Sequence, residues 1–205
     1  MIQVALGIYC AGLVLAFGYR TFAQYARTGS SGWAGIRRDA GVVERVAAVL
    51  FVVALFAGIA GLVFAANSVG PMAEPPKPVA VVGLVVEAGG LVVLVLAQDG
   101  MGDAWRIGVD PDERTGLVTT GLFALVRNPI FSAMVVAQAG AVAVAPNIVG
   151  SLALVALVAA VQLQVRVVEE PYLDRTHADY TDYGARVGRF VPGLGRLQPT
   201  RAGDR

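Results

Sequence analysis

The chain is expected to be all-α, an integral membrane helical bundle of about five transmembrane helices, and three observations carry that expectation. Of its 205 residues, 56% are hydrophobic and only 15% charged, against roughly 25% charged in an ordinary soluble domain. The apolar residues are gathered into runs that approach the ~20 residues needed to cross a bilayer. The basic residues fall on alternate connections between those runs, so one side of the bundle collects them.

The first run covers residues 2–19 within MIQVALGIYCAGLVLAFGYR. It lacks a basic leader and a small-x-small cleavage site, so it reads as a retained helix rather than a signal peptide. Cys10 within it reads as a small buried hydrophobe. The 26–44 loop is rich in Gly and Ser, and its Trp33 reads as an anchor at headgroup level or as a cover over a site. Residues 46–66 (VAAVLFVVALFAGIAGLVFAA) form the second span, and the Pro-rich connection 67–78 is short and stiff. The third span, 79–98, carries one acid, Glu87.

A lone carboxylate in the middle of a span is costly and should face the bundle. Glu87 either orients a substrate or hydrogen-bonds another helix, and Gln138, Gln162 and Gln164 offer it partners. Beyond Pro129 the apolar run is broken at Pro146 and Asn147, leaving 130–145 and 148–165. Each is short for an independent span, and the tight turn between them reads as a helical hairpin. The small-residue stretches Gly58–Gly61 and Gly83–Gly90 suit packing within one chain or between copies, which leaves the oligomeric state open.

Arg20, Arg27, Arg37, Arg38 and Arg45 flank the first connection, Arg106, Arg114 and Arg127 the third, and seven further arginines follow the last span, whereas the second connection holds only Lys77. Fifteen of the sixteen basic residues therefore share a side. The positive-inside rule puts the N-terminus outside and the C-terminus in the cytoplasm, for a protein of the cell inner membrane or plasma membrane. The chain divides into a three-span region, 1–98, and a region 99–205 that holds the hairpin and a cytoplasmic tail.

Sixteen basic against fifteen acidic residues, without a basic stripe, argues against nucleic acid as a partner. One cysteine and one histidine exclude disulfide frameworks, CxxC redox pairs and Cys/His metal sites. A Rossmann-type Gly-rich turn is not evident either.

Two polar segments fall on the basic side. The 99–128 segment is far longer than the ~2 to 8 residues that join helices in a bundle. Gly116 and Gly121 allow tight turns there, Thr119 and Thr120 offer hydroxyls, and Pro129 starts a helix whose amides can face an anion. After the fifth span, Arg166 lies three and four residues before Glu169 and Glu170, a spacing that puts a cation beside a carboxylate on one helical face. Tyr172, Tyr180 and Tyr183 then alternate with Asp174, Asp179 and Asp182.

RTGLVTTGLFALVRNPIF, followed by RVVEEPYLDRTHADYTDYGARVGRFVPGL, resembles the isoprenylcysteine carboxyl methyltransferase family of integral membrane enzymes over about residues 100–195. Members carry Leu-Val-x-x-Gly-x-Tyr-x-x-x-Arg-His-Pro-x-Tyr, then Arg-x-x-Glu-Glu-x-x-Leu, then a paired-tyrosine segment and an Arg-Phe-x-Pro close. This chain departs from the pattern at Phe123 and Phe131, where the family has Tyr, and at Asn128, where it has His. His177 stands where a Gly is common, which implies a different local backbone.

The resemblance implies S-adenosylmethionine as cofactor. Its site would draw on Leu117, Val118, Thr119, Gly121, Leu122 and Phe123, on Arg127, Asn128 and Pro129, and on Glu169, Glu170, Tyr180 and Tyr183. Arg127, Arg166 and Glu87 are the residues expected nearest the reacting groups, with an arginine gripping a carboxylate in a bidentate manner. The implied reaction methylates a carboxylate of a lipophilic or prenylated acceptor that enters from the bilayer. A carboxylate nucleophile needs no general base, which suits Asn128 in place of His. Three alternatives stand beside it: a phospholipid N-methyltransferase, whose family shares the C-terminal half and the Glu-Glu pair; an NADPH-dependent sterol-type reductase; and a small transporter lined by Glu87 and the glutamines.

Overall fold

The computed structural model describes residues 1–32, 40–105 and 116–198; Trp33, Arg37, Arg38, Arg106 and Arg114 lie outside the described residues. Four described helices are long and apolar enough to cross a membrane: α1 (Ile2–Thr28), α2 (Val42–Ala66), α3 (Lys77–Gly100) and α5 (Ile148–Thr176). Between the last two lies the shorter apolar helix α4 (Pro129–Val144), and after them α6 (Tyr180–Arg186). The protein is an all-α integral membrane bundle.

Its helices run longer than hydropathy alone indicates. A π-helical turn, Val14–Tyr19, carries α1 past its apolar run to Thr28. A second, Gln164–Glu169, carries α5 from its apolar part into the polar Glu170–Thr176. The 148–165 segment is therefore part of a continuous 29-residue helix rather than half of a short pair. Wider i→i+5 turns keep the backbone hydrogen-bonded through both changes of composition.

Asn147 makes the turn between α4 and α5: its Oδ1 accepts from Gly150 N at 2.8 Å and its Nδ2 donates to Ala145 O at 2.7 Å. Beyond that turn the two helices part. α4 packs chiefly along α3 and α5 chiefly along α2. Small residues decide this pairing. A Cβ on Gly83 would stand 2.9 Å from Gly140 O, and one on Gly90 would stand 2.8 Å from Ala137 N. Gly61 similarly meets Gly150 across the α2–α5 contact, at 2.7 Å from its backbone nitrogen. Backbones this close gain dispersion contacts that lipid cannot replace. The Gly58–Gly61 and Gly83–Gly90 stretches thus pack within the chain.

Two apolar clusters fill the bundle. One gathers Ala16, Ala54, Leu94, Met134, Leu157 and Val165, with Phe17, Phe51 and Phe131 against it. Those three rings form an edge-to-face chain with centroids 6.4 and 6.1 Å apart. The other gathers Ala5, Tyr9, Leu62, Ala65, Ala141 and Val144. Cys10 is exposed rather than buried, because Tyr9, its neighbour, takes the inward-facing position on α1 and turns the thiol outward.

The ends of the bundle differ. At one, the Pro-rich connection meets the α4–α5 turn, with Ala73 N donating to Pro146 O at 3.1 Å. At the other, the end of α1 grips the turn after α3. Arg20 Nη2 donates to Gly102 O at 2.6 Å and Gln24 Nε2 to Asp103 O at 2.9 Å, while the Arg20 guanidinium lies 4.9 Å over the ring of Trp105. Arg127 and the C-terminal tail lie at this same, arginine-bearing end.

Candidate cofactor site at the arginine-bearing end

The segment leading into α4 turns at Gly121, whose φ of +60° favours glycine. A short 3-10 turn, Gly121–Ala124, follows and buries Phe123. The chain then runs extended beside the tail. Arg127 N donates to Gly188 O at 2.8 Å and Asn128 N to Arg189 O at 3.1 Å, forming a short parallel bridge. Gly188 has to be a glycine, since a Cβ there would lie 2.8 Å from both Gly193 N and Leu194 O. Ser132 Oγ donates to Phe190 O at 2.8 Å, one turn into α4. Two segments some sixty residues apart in sequence are thereby sewn together.

A buried ion cluster lies beneath this seam. Arg127 Nη2 donates to Glu170 Oε1 at 2.6 Å, and its side chain is only 1% exposed. Arg189 reaches the same carboxylate with both arms, Nε to Oε1 at 2.9 Å and Nη2 to Oε2 at 2.7 Å. The hydrogen bond to Glu170 holds the Arg189 guanidinium above its ordinary range, against the opposing effect of burial. Arg127 further donates to the carbonyls of Gly184 and Gly195, at 3.0 and 3.1 Å, and to that of Val187. It thus anchors α6 and the tail. Two cations on one carboxylate with several carbonyl acceptors satisfy a buried charge set that would otherwise be costly.

The tyrosines close the cluster. Tyr183 donates its hydroxyl proton to Phe123 O at 2.6 Å, and its ring stands edge-on to Tyr180, with centroids 6.2 Å apart. Burial pushes the Tyr183 hydroxyl up to about 12, partly offset by Arg127, and burial also raises that of Tyr180. Both are neutral donors at physiological pH.

Among the residues expected at the site, Phe123, Arg127, Pro129, Glu170, Tyr180 and Tyr183 are buried in or beside this cluster, while Leu117, Val118, Thr119, Leu122 and Asn128 are half-buried and Gly121 exposed. Asn128 Nδ2 donates to Arg189 O at 3.2 Å. Arg166 and Glu169 stand outside the cluster. Arg166 Nε donates to Gln162 Oε1 at 2.7 Å, and Gln164 Nε2 to Glu169 Oε1 at 3.3 Å. The i,i+4 pairing of Arg166 with Glu170 is not formed, because the π-helical turn between them rotates Glu170 inward to Arg127. Glu87 lies apart within the bundle, 1% exposed, and neither of its oxygens has a hydrogen-bond partner among the described residues. None of the three glutamines reaches it. His177 adopts an extended backbone, φ −128° and ψ 110°, which ends α5.

Sequence reasoning placed Arg189 on the family pattern without giving it a role. It counted Arg20 only toward the charge imbalance and passed over Gln24 and Gln98; all three are buried, the last donating to Ala16 O at 3.0 Å. A polar residue near the end of an apolar run reads as snorkelling toward headgroups, so only tertiary contact reveals these as inward-facing.

The chemistry of S-adenosylmethionine can be matched to this end of the molecule. Its amino-acid part needs a cation for the carboxylate and an anion for the ammonium, which Arg166 and Glu169 offer one turn apart. Arg127 Nε is a buried N–H without a partner among the described residues, an additional donor beside Asn128. The donor set fits.

Residues 79–180 match the model of the phospholipid methyltransferase family. No curated protein and no solved structure matches the chain. The family match overturns the expected kinship with isoprenylcysteine carboxyl methyltransferases: the range that holds the Arg-x-x-Glu-Glu stretch that suggested it matches the phospholipid methyltransferase model instead. What the match supports is an integral membrane methyltransferase with S-adenosylmethionine as its cofactor and a lipophilic acceptor.

Proposed function

We propose that the protein methylates the amine of a phospholipid headgroup. The observation that carries this reading is the phospholipid methyltransferase match over residues 79–180, a range that includes nearly all of α3 and the whole of α4 and α5. The site's position supports it too, since the ends of the apolar helices lie where headgroups lie.

Bound S-adenosylmethionine supplies a methyl group already activated by its sulfonium, so the chain's own residues have to bind, align and exclude water. Arg166 takes the donor's carboxylate and Glu169 its ammonium, both as charge-assisted hydrogen bonds. Asn128 adds a neutral hydrogen bond, and Leu117, Val118 and Leu122 give apolar contact. Arg127, Glu170 and Arg189 are positioning residues that hold the start of α4 against the tail.

An amine, unlike a carboxylate, must lose a proton before it can act as a nucleophile. Asn128 has no titratable ring at the position where the resembling family has His, so the proton passes to solvent at the headgroup level. The rate should accordingly rise with pH toward the headgroup amine's own pKa.

The test uses purified protein in phosphatidylethanolamine nanodiscs with methyl-labelled S-adenosylmethionine. Label in mono-, di- or trimethylated headgroups is the expected product. Label released by mild base as a methyl ester, or lipids that stay unlabelled while the cofactor binds, would overturn the reading.

A further inference from the structure

Glu87 sits where a carboxylate is hard to keep, between the two apolar clusters, and both of its oxygens are without a partner among the described residues. It forms the polar floor of a cavity whose walls include Ile8, Tyr9, Gly12, Leu91 and Met134. Gln138 Oε1, also unpartnered among the described residues, lies beyond the cavity lining, where it and the hydroxyl of the cavity-lining Tyr9 occupy the place a Cβ on Gly58 would take. The Tyr9 proton is already given to Leu55 O, at 3.3 Å. Both carboxylate oxygens of Glu87 are thus left as acceptors in an apolar setting.

The free space is about 40 Å³, more than a water-sized group needs. Its outer wall is thin. Ile8, Gly12 and Leu13 on α1 and Leu91 on α3 are all partly exposed, and at Gly12 only the flexible end of the Leu91 side chain closes the wall, 3.2 Å from where a Cβ would stand.

We propose that this cavity is a lateral binding site for a lipophilic primary amine, its nitrogen on Glu87 and its alkyl chain leaving to the bilayer between α1 and α3. An –NH3⁺ group is water-sized and brings three donors and one positive charge to a floor of acceptors that includes one acid. The apolar walls suit an alkyl chain, and ionisable groups inside spans commonly mark such sites. This inference does not rest on the phospholipid reading, because the cavity lies within the bundle and away from the Arg127–Glu170–Arg189 cluster.

Calorimetry in nanodiscs with dodecylamine, dodecanol and dodecyltrimethylammonium as probes tests it. Saturable, one-site binding is expected for dodecylamine alone, weakened roughly tenfold to a hundredfold by Glu87→Gln, which removes the charge but keeps the shape. Gly12→Ala, whose Cβ presses on the flexible end of Leu91 without touching Glu87, should also weaken binding; it serves if the first variant fails to fold. S-adenosylmethionine affinity should be unchanged in both, so failure here is distinct from failure at the cofactor site. Non-saturable partition of dodecylamine, equal binding of all three probes, or wild-type affinity in a folded variant would overturn the proposal.

Discussion

Arg127 and Glu170 meet at 2.6 Å across forty-three residues of sequence, one at the entrance to α4 and the other just past the π-helical turn of α5. Through Arg189, which holds both oxygens of the same carboxylate, the pair binds the C-terminal tail to the two helices.

Glu170→Ala leaves two guanidinium groups facing one another with no anion. Removing one member of a buried ion cluster costs about 3–5 kcal/mol, so the tail should come loose while the apolar helices stay inserted. Protease cleavage around Arg186 and Arg189, rapid in the variant and slow in the parent, is the readout.

Glu169→Gln tests the cofactor assignment. Loss of charge-assisted bonds to a partly desolvated ligand should cost on the order of 2–4 kcal/mol of binding, or roughly 30-fold to 1000-fold in S-adenosylmethionine affinity. Asp174→Asn, an exposed carboxylate that accepts from Thr181, is the control and should be nearly silent. Equal affinities in the two variants would remove Glu169 from the site.

Tyr183→Phe strands the buried carbonyl of Phe123 and should cost about 1–3 kcal/mol. The parent should also show a pH signature that the variant lacks. Burial raises the folded hydroxyl to about 12, above the ~10 of an unfolded tyrosine. Its stabilising contribution is therefore complete below about pH 10 and lost as pH rises toward 12. Hydrogen exchange of the α6 amides across that window measures both effects.

Single cysteines at Ser68 and Gln198, introduced into a Cys10→Ala background, should react from opposite sides of the membrane, with Gln198 reached from the cytoplasm. The positive-inside rule predicts this orientation from the arginine imbalance, and labelling of both from one side would contradict it.

Embedding in the membrane was legible in the residues themselves, because the free energy of leaving water depends on composition summed over a run. The seam between the 99–128 segment and the tail was legible only as a pair of polar stretches on one side. The exchange of Arg127 N–H to Gly188 and Tyr183 O–H to Phe123 was not, since neither contact follows a linear spacing.

The expected pairing of Arg166 with the Glu-Glu pair assumed a regular α-helix, and the π-helical turn Gln164–Glu169 altered which carboxylate faced which arginine. The Arg-x-x-Glu-Glu pattern likewise pointed to a methyltransferase without distinguishing carboxylate from amine acceptors, because both reactions need the same donor held in place.

The sequence by itself determined the apolar runs, their basic flanks and the presence of an acid in the third span. Tertiary structure decided the rest: which helices lie together, that Arg127 rather than Arg166 pairs with Glu170, and that neither oxygen of Glu87 has a hydrogen-bond partner among the described residues. The physical reason is that burial in a bilayer is a sum over single residues, whereas close backbone packing at Gly83, Gly90 and Gly140 and the pairing of buried charges are relations between positions far apart in the chain.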